Sequence, residues 1–110
     1  MSAPLYPYDG PEELRGAVDG ALRRVVDPEV AMNIVDVGLV YGVNVADGIA
    51  DVSVTMTSQA CPVADVILED IENQLDKALP AGLQIRVRLS WEPPWSPDRL
   101  SASAKAFMGW

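Results

Sequence analysis

The residue best suited to chemistry in this chain is its single cysteine, Cys61, within "VTMTSQACPVADVILEDIENQL" at residues 54–75. A strand-like alternation precedes it, a helix-like repeat follows it, and Pro62 comes next. Because proline suits the first turn of a helix, the pattern predicts Cys61 at the N-cap. There, unpaired backbone N–H groups and the helix dipole would favour the thiolate. The thiolate is the form that attacks electrophiles and binds soft metals.

A structural interpretation of Cys61 stays open beside the chemical one. Free cysteines are among the most buried residue types, and this one could fill the strand–helix corner as a small apolar side chain. Thr57, Ser58 and Gln59 add possible hydrogen-bond donors before it, but no cationic residue lies nearby in the sequence. We therefore expect only a modest lowering of the thiol pKa.

The supply of metal-ligating and nucleophilic side chains restricts the chemistry further. The chain has one cysteine and no histidine. It can form no intrachain disulfide, and no Ser-His-Asp or Cys-His arrangement can be built. One copy of this chain also cannot supply four thiolates to a zinc or iron–sulfur site. Any thiolate-bound metal would need ligands from a second subunit, a partner protein or a small thiol.

The charge balance argues against nucleic acid as a partner. Sixteen acidic residues stand against eight basic ones, for a net charge of −8, which repels phosphate backbones. Arg86 and Arg88 lie on one face of a predicted strand, a spacing typical of a solvated sheet face. No apolar run approaches the ~18 residues of a membrane span, and residues 1–10 lack the features of a secretory signal. We expect a cytoplasmic protein that binds neither nucleic acid nor membranes.

Two other groups of side chains could form sites. Asp27, Glu29 and Asp36 flank the loop after the first predicted helix, where carboxylates could orient a metal or act as a general base. They could equally be a helix stop followed by solvated turn residues, with Asp27 bonding the backbone amides after it. The loop "WEPPWS" at 91–96 holds two indoles among prolines. It offers a rigid apolar surface to a partner, or packs back over the sheet as a lid.

Periodicity and turn residues predict the order α-β-β-α-β with a short C-terminal helix. Asp47-Gly48 signals a hairpin between the first two strands. A short last helix would start at Pro97, capped by Ser96, with Leu100 and Phe107 as its apolar contacts. The predicted segments are helix 9–26, loop 27–34, strands 35–46 and 49–56, helix 62–78 and strand 83–91.

These elements predict a small α/β (α+β) domain at residues 9–110, after an irregular tail at 1–8. Its three-stranded mixed sheet would be covered on one face by two amphipathic helices. In the second strand the alternation puts Val52, Val54 and Met56 inside, and Ser53 and Thr55 in solvent. In the first strand, Gly38 and Gly42 suggest a bulge or a close backbone approach.

Four segments in one order carry a resemblance to a known family. They are "DPE" at 27–29, "NIVDVGLVY" at 33–41, "VTMT" leading to "CP" at 61–62, and "WEPPWSP" at 91–97. Together they resemble the SufT/PaaD-like family of iron–sulfur cluster assembly proteins, from about residue 12 to the C-terminus. The resemblance implies a domain akin to the C-terminal domain of NifU scaffolds, usually self-associating. It also implies a role in maturing iron–sulfur proteins, as an assembly or targeting factor.

The resemblance also assigns residues. The family's reactive cysteine matches Cys61, and the chain ends without the cysteine-rich segment of PaaD proteins, which favours a SufT-like role. Ser58-Gln59-Ala60 departs from the Pro or Gly that relatives often carry there. Supporting matches are the acidic Asp27 and Glu29, the strand-end Thr57, the residues Asn33, Asp36 and Gly38 of a supporting cofactor-binding loop, and the partner-binding Trp91, Pro93, Pro94 and Trp95.

Two functions follow as hypotheses. In the first, the Cys61 thiolate transiently ligates iron or a cluster, and a homodimer or a partner completes the coordination. The protein would then be a non-enzymatic assembly factor with no stably bound cofactor, acting on apo iron–sulfur proteins and other assembly factors. In the alternative, it is an adaptor that recruits apo-proteins through the 91–95 loop and the acidic helix face, with Cys61 structural. A thiol oxidoreductase is disfavoured because no Cys-x-x-Cys pair is present.

Overall fold

The structure is a computed structural model that describes residues 6–28, 31–56, 64–92 and 94–109. Its strands are β1 (Tyr8–Asp9), β2 (Val26–Asp27), β3 (Met32–Asn33), β4 (Val40–Ala46), β5 (Ile49–Val54) and β6 (Gln84–Leu89). Its helices are α1 (Glu12–Arg23), α2 (Ile34–Val37), α3 (Ala64–Ala78) and α4 (Ala102–Met108), and a 3-10 turn spans Pro97–Arg99.

The main sheet of the described chain is mixed and has the strand order β1-β4-β5-β6. Strands β4 and β5 form an antiparallel hairpin, and β6 returns through α3 to pair with β5 in parallel. The predicted α-β-β-α-β order and mixed sheet are confirmed. The prediction of three strands is wrong by one, because β1 adds a short parallel pairing at the edge of β4.

Both predicted irregularities of the first strand pair are present. Asp47 and Gly48 adopt φ of 54° and 77°, the left-handed conformation that a tight hairpin turn requires. The register between β4 and β5 shifts between Val40 and Gly42, as in a β-bulge. The predicted hairpin and bulge are therefore confirmed.

The core lies between one face of the sheet and the helices α1 and α3. Each helix buries one apolar stripe, as the period of 3–4 residues predicts. The fully buried members of these stripes are Val18, Ala21 and Leu22 in α1, and Ile67, Ile71 and Leu75 in α3. They join Ala50, Val52 and Val54 of β5 in one cluster. Burial of each large aliphatic side chain contributes about 1.5–3 kcal/mol, so this layer supplies most of the driving force.

The N-terminal boundary differs from the prediction. Tyr6 is 7% exposed, and Tyr8 pairs with Val43 in β1, so both belong to the domain although they fall in the predicted tail. Asp9 is part of the same strand, so the helix predicted from residue 9 begins later. The helix instead starts after Pro11, without a side-chain cap. Pairing of Tyr8 and Asp9 with β4 delays the start of the helix.

The segment predicted as the start of the first strand is a helical turn. Asn33 caps α2 by accepting a hydrogen bond from the Asp36 N–H, and Gly38 ends it with φ of 84°. Such local hydrogen bonds between a short polar side chain and the backbone compete with strand pairing. As a result, β4 begins only at Val40.

The C-terminal helix is shorter than predicted and starts later. Ser101, not Ser96, is its N-cap and accepts a hydrogen bond from the Ala104 N–H at 3.0 Å. Leu100 is buried as predicted, but Phe107 is 73% exposed, so its predicted core contact is wrong. The 3-10 turn that starts at Pro97 delays the helix by one turn.

Candidate functional site

The described members of the predicted site lie in β2, at the start of α2 and just after it, and in the C-terminal loop. Cys61, Thr57, Glu29 and Pro93 lie outside the described residues. In the sequence, residues 57–63 connect the end of β5 to the N-terminus of α3. The cysteine therefore belongs to a strand-to-helix connection, although its cap geometry stays a prediction.

Asp27 is the most deeply placed of the predicted acidic residues. Its exposure is 0%, and it lies in β2 of the short hairpin. Its backbone carbonyl accepts a hydrogen bond from the Ala31 N–H at 2.7 Å, which closes the hairpin. Burying a carboxyl group costs free energy unless it finds polar partners. Asp27 itself is therefore not solvated, and the alternative in which it ends the helix and bonds the backbone amides after it stays a prediction.

Asn33 and Asp36 hold each other in a reciprocal pair. The Asn33 Nδ2 donates to the Asp36 Oδ2 at 2.6 Å, and the Asp36 N–H donates to the Asn33 Oδ1 at 2.9 Å. Arg23 of α1 adds its Nη1 at 3.6 Å from the same carboxylate. The pair shapes the α2 turn and ties it to α1. Its predicted role in supporting a cofactor loop stays a prediction.

Gly38 is required by a close backbone contact. Its φ is 84°, and a Cβ built on it would lie 2.6 Å from the Arg99 Cβ and closer still to the Arg99 carbonyl oxygen. Arg99 also places its guanidinium 4.4 Å from the centre of the Tyr41 ring. The predicted close approach is confirmed, and the residue that approaches comes from the C-terminal segment.

The indoles of the C-terminal loop are engaged within the chain. Trp95 is half-buried and donates its Nε1–H to the Val37 carbonyl at 2.8 Å. Trp91 is also half-buried against the core, whereas Pro94 is exposed. This agrees with the alternative in which the indoles pack back onto the domain. Partner binding by Trp91, Pro94 and Trp95 stays a prediction.

Thr55 is a polar residue near the site that periodicity placed wrongly. It follows β5 and was expected in solvent, but its exposure is 0%. Its N–H donates to the Leu39 carbonyl at 2.8 Å, while its Oγ1 has no hydrogen-bond partner in the described part of the chain. The strand has ended at Val54, so the alternation no longer holds. No signal in the sequence alone marks this hydroxyl.

A groove between β2 and α3 is a second feature that sequence reasoning missed. Its volume is about 470 Å³. Val26 and Val66 line it and are 50% and 63% exposed. Glu69 and Asp70 of α3 also line it. One signal in the sequence could have indicated this groove: Val66 is apolar but falls outside the buried stripe of α3.

Other features of the described residues limit the chemistry. No group of three or more His, Cys, Asp or Glu side chains is placed to hold a metal ion within the ranges the structure describes. On the open sheet face, Arg88 is exposed and its Nε lies 3.0 Å from the Asp51 Oδ1. The same ranges contain no helix long and apolar enough to cross a bilayer.

The elements above define a small two-layer α+β domain with a mixed sheet and a strand-to-helix connection that carries the lone cysteine. The family described as Iron-sulfur cluster assembly protein matches residues 15–88. That match covers most of the chain, so the protein belongs to this family.

Relatives and solved structures agree with this assignment. The chain is 39% identical over 99 residues to the Fe-S protein maturation auxiliary factor YitW of Bacillus subtilis, covering 89% of this chain and 96% of that protein. It is 40% identical over 86 residues to the Fe-S protein maturation auxiliary factor SufT of Staphylococcus aureus, covering 77% and 97%. A domain of unknown function, DUF59, from Bacillus anthracis matches with a TM-score of 0.82 at 37% identity, covering 89% and 93%. The expected SufT-like family and fold class are confirmed.

Proposed function

We propose that this protein is a non-enzymatic maturation factor for iron–sulfur proteins that carries iron or a cluster transiently on the Cys61 thiolate. The observation that carries the proposal is the family match over residues 15–88, which includes Cys61, Asp27 and the α2 turn. The names of its relatives, Fe-S protein maturation auxiliary factors, support the same role. Its partners would be apo iron–sulfur proteins and other assembly factors, in the cytoplasm.

The position of the sulfur in the sequence supports transient ligation. Cys61 stands three residues before α3, a helix of 15 residues whose N-terminal dipole favours a thiolate. Asp65 in the first turn of α3 and the net charge of −8 oppose that effect. We expect a modest lowering of the thiol pKa, which would suit a ligand that must both take up and release its cargo.

The chain supplies one thiolate, whereas iron–sulfur clusters are held by several. A second subunit, a partner protein or a small thiol must therefore complete the coordination. We expect a homodimer or a shared-ligand complex. Analytical ultracentrifugation with and without ferrous iron tests the homodimer. A monomer under both conditions would exclude the homodimer and leave the shared-ligand complex as the remaining model.

The other predicted site residues would then have a positioning role. The buried Asp27 and the Asn33–Asp36 pair hold the hairpin and the α2 turn in place. Glu29 and Thr57, assigned by the resemblance, would act beside them. None of these groups needs to touch the reacting atoms in this proposal.

Direct ligation is tested by anaerobic reconstitution with iron and sulfide. The wild-type protein should develop sulfur-to-iron charge-transfer absorption, and Cys61→Ser should not. The same two chains, expressed in a bacterial strain that lacks its own relative, should differ in the activity and iron content of iron–sulfur enzymes. Identical spectra without bound iron would refute ligation, and equal rescue by both chains would refute a role for the thiolate.

The adaptor is the competing proposal, in which clients bind the 91–95 loop and Cys61 is structural. The exposed Pro94 favours it, but the Trp95 indole N–H is already bound to Val37. Capture of apo-proteins by Trp95→Ala and Cys61→Ala separates the two models. The adaptor model predicts loss only with Trp95→Ala, provided that circular dichroism shows this variant to be folded.

A further inference from the structure

The groove between β2 and α3, called the α3 groove below, presents exposed apolar side chains from two separate elements. Val26 of β2 is 50% exposed and Val66 of α3 is 63% exposed. Both line the same groove of about 470 Å³. An apolar side chain placed between them would bury these surfaces and gain about 25 cal/mol per Å² removed from water. The volume is within the range of sites that hold a small ligand or one or two anchoring side chains.

The rim of the α3 groove is acidic. Glu69 and Asp70 line it. Along α3, five acidic side chains face one basic residue, Lys77; they are Asp65, Glu69, Asp70, Glu72 and Asp76. No residue in the described ranges forms an ion pair with any of the five. Their negative potential is therefore not neutralised within the described chain and is available to a partner.

A second copy of this chain is a poor occupant of this groove. A two-fold contact through this groove would bring the acidic rims of both subunits, each with Glu69 and Asp70, into one interface. Each chain also carries a net charge of −8. Like charges brought together at an interface cost free energy, whereas lysine and arginine would be attracted.

We propose that the α3 groove binds a segment of a partner protein in which an apolar side chain is flanked by lysine or arginine residues. The apolar side chain would pack on Val26 and Val66, and the flanking cations would face Glu69 and Asp70. The identity of the natural partner, an apo-protein or an assembly factor, rests on the proposed function. The recognition chemistry rests on the groove alone.

The α3 groove is bordered by the sequence neighbours of Asp27 and by the first turn of α3. Val26 and Pro28, which line it, are the neighbours of the buried Asp27 in the sequence. Val66 is two residues from the start of α3, where the connection that carries Cys61 enters the helix. A segment held there would contact the sequence neighbours of Asp27 and the first turn of α3, which follows Cys61 in the sequence.

Fluorescence anisotropy with the purified full chain tests the proposal. The probes are fluorescein-labelled peptides with a leucine flanked by lysines, the same peptide with glutamates, and the same peptide with serine for leucine. The lysine–leucine peptide should bind best, and added salt should weaken its binding. Val66→Ser and the pair Glu69→Gln with Asp70→Asn should each weaken it by about tenfold.

The matched control is Glu72→Gln with Asp76→Asn, which removes the same charge from the same helix away from the groove. It should change the affinity by less than about twofold, an effect of long-range charge only. Equal losses in the groove and control variants, equal binding of the glutamate peptide, or no binding would overturn the proposal. A concentration-dependent dimer abolished by Val66→Ser would overturn it in favour of a second copy.

These outcomes are independent of the maturation activity. The measurement uses no iron, so a failure to bind the peptide would not count against the proposal that Cys61 carries iron or a cluster. Conversely, a Cys61→Ser chain that fails in reconstitution should still bind the lysine–leucine peptide with unchanged affinity.

Discussion

The indole N–H of Trp95 donates a hydrogen bond to the Val37 carbonyl at 2.8 Å, across 58 positions of sequence. The residues on either side of Val37 also contact the C-terminal segment. The Ser101 N–H donates to the Asp36 carbonyl at 2.8 Å, and Arg99 packs on Gly38. The C-terminal segment is therefore a clasp on the turn that also holds Asn33 and Asp36. Changes in the clasp are expected to loosen the candidate site.

Replacing Trp95 by phenylalanine should remove the hydrogen bond while keeping most of the ring packing. We expect the free energy of unfolding to fall by about 1 kcal/mol, with some further loss from the smaller ring. Urea denaturation measures it. Trp91→Phe is the control, because the Trp91 indole N–H has no hydrogen-bond partner among the described residues and its loss should be smaller. Equal losses in the two variants would contradict the clasp.

Gly38→Ala should destabilise the protein more than Gly48→Ala. Both glycines have a left-handed φ, 84° and 77°, which costs a residue with a Cβ about 1–2 kcal/mol. A Cβ at Gly48 would meet nothing within 4 Å, whereas at Gly38 it would overlap Arg99. The overlap should add about 1–3 kcal/mol. Thermal unfolding of the two variants gives the comparison, and equal midpoints would refute the close contact.

Tyr6 should make stability depend on pH in the alkaline range. Burial, and then its 2.9 Å hydrogen bond to Asp19, raise the pKa of Tyr6 above its ordinary value. The folded state thus keeps a proton that the unfolded chain loses above about pH 10. The contribution of Tyr6 to the free energy of unfolding is complete below that pH and declines as the pH rises further.

The test for Tyr6 is a pair of urea unfolding series, wild type against Tyr6→Phe, from neutral pH to above pH 10. At neutral pH the variant should be less stable by about 1–3 kcal/mol, because it lacks the bond to a carboxylate. The gap should narrow as the pH rises, since only the wild type loses the Tyr6 contribution. A gap that stays constant would show that the Tyr6 pKa is unshifted.

Thr55→Val should raise stability, against the usual direction for a buried substitution. The side chains have similar shapes, and the Thr55 Oγ1 is buried without a hydrogen-bond partner in the described chain. Removing such a group recovers part of its desolvation cost of about 1–3 kcal/mol. Urea denaturation gives the change, with Ser53→Ala on the half-buried outer face as a near-neutral control. A loss of stability would mean that the hydroxyl is bonded in solution.

The reactivity of Cys61 should respond to the first turn of α3. The alkylation rate should rise with pH around a midpoint modestly below the ordinary thiol value of about 8.5. Asp65→Asn removes a negative charge four positions away and should lower that midpoint further. Asp76→Asn, near the other end of the helix, should leave it unchanged. A thiol that is inert under native conditions would refute its proposed role.

Local signals predicted the parts of this fold that depend on neighbours in sequence. The period of the apolar residues in α1 and α3, the alternation in β5 and the Asp47-Gly48 turn all act within a few residues. Local reasoning failed where distant segments meet. Thr55 is buried under a contact with Leu39, and Tyr6 is buried although it stands in a predicted tail.

The sequence alone limited the class of chemistry, because with one cysteine and no histidine any thiolate-bound metal would need ligands from other molecules. It also determined the family, through four motifs in a fixed order. Only the tertiary structure decided that Trp95 clasps Val37 and that Val26 and Val66 share a groove with Glu69. The reason is physical: packing between distant segments depends on how helices and strands are placed in space, and that placement leaves no period or spacing in the chain itself.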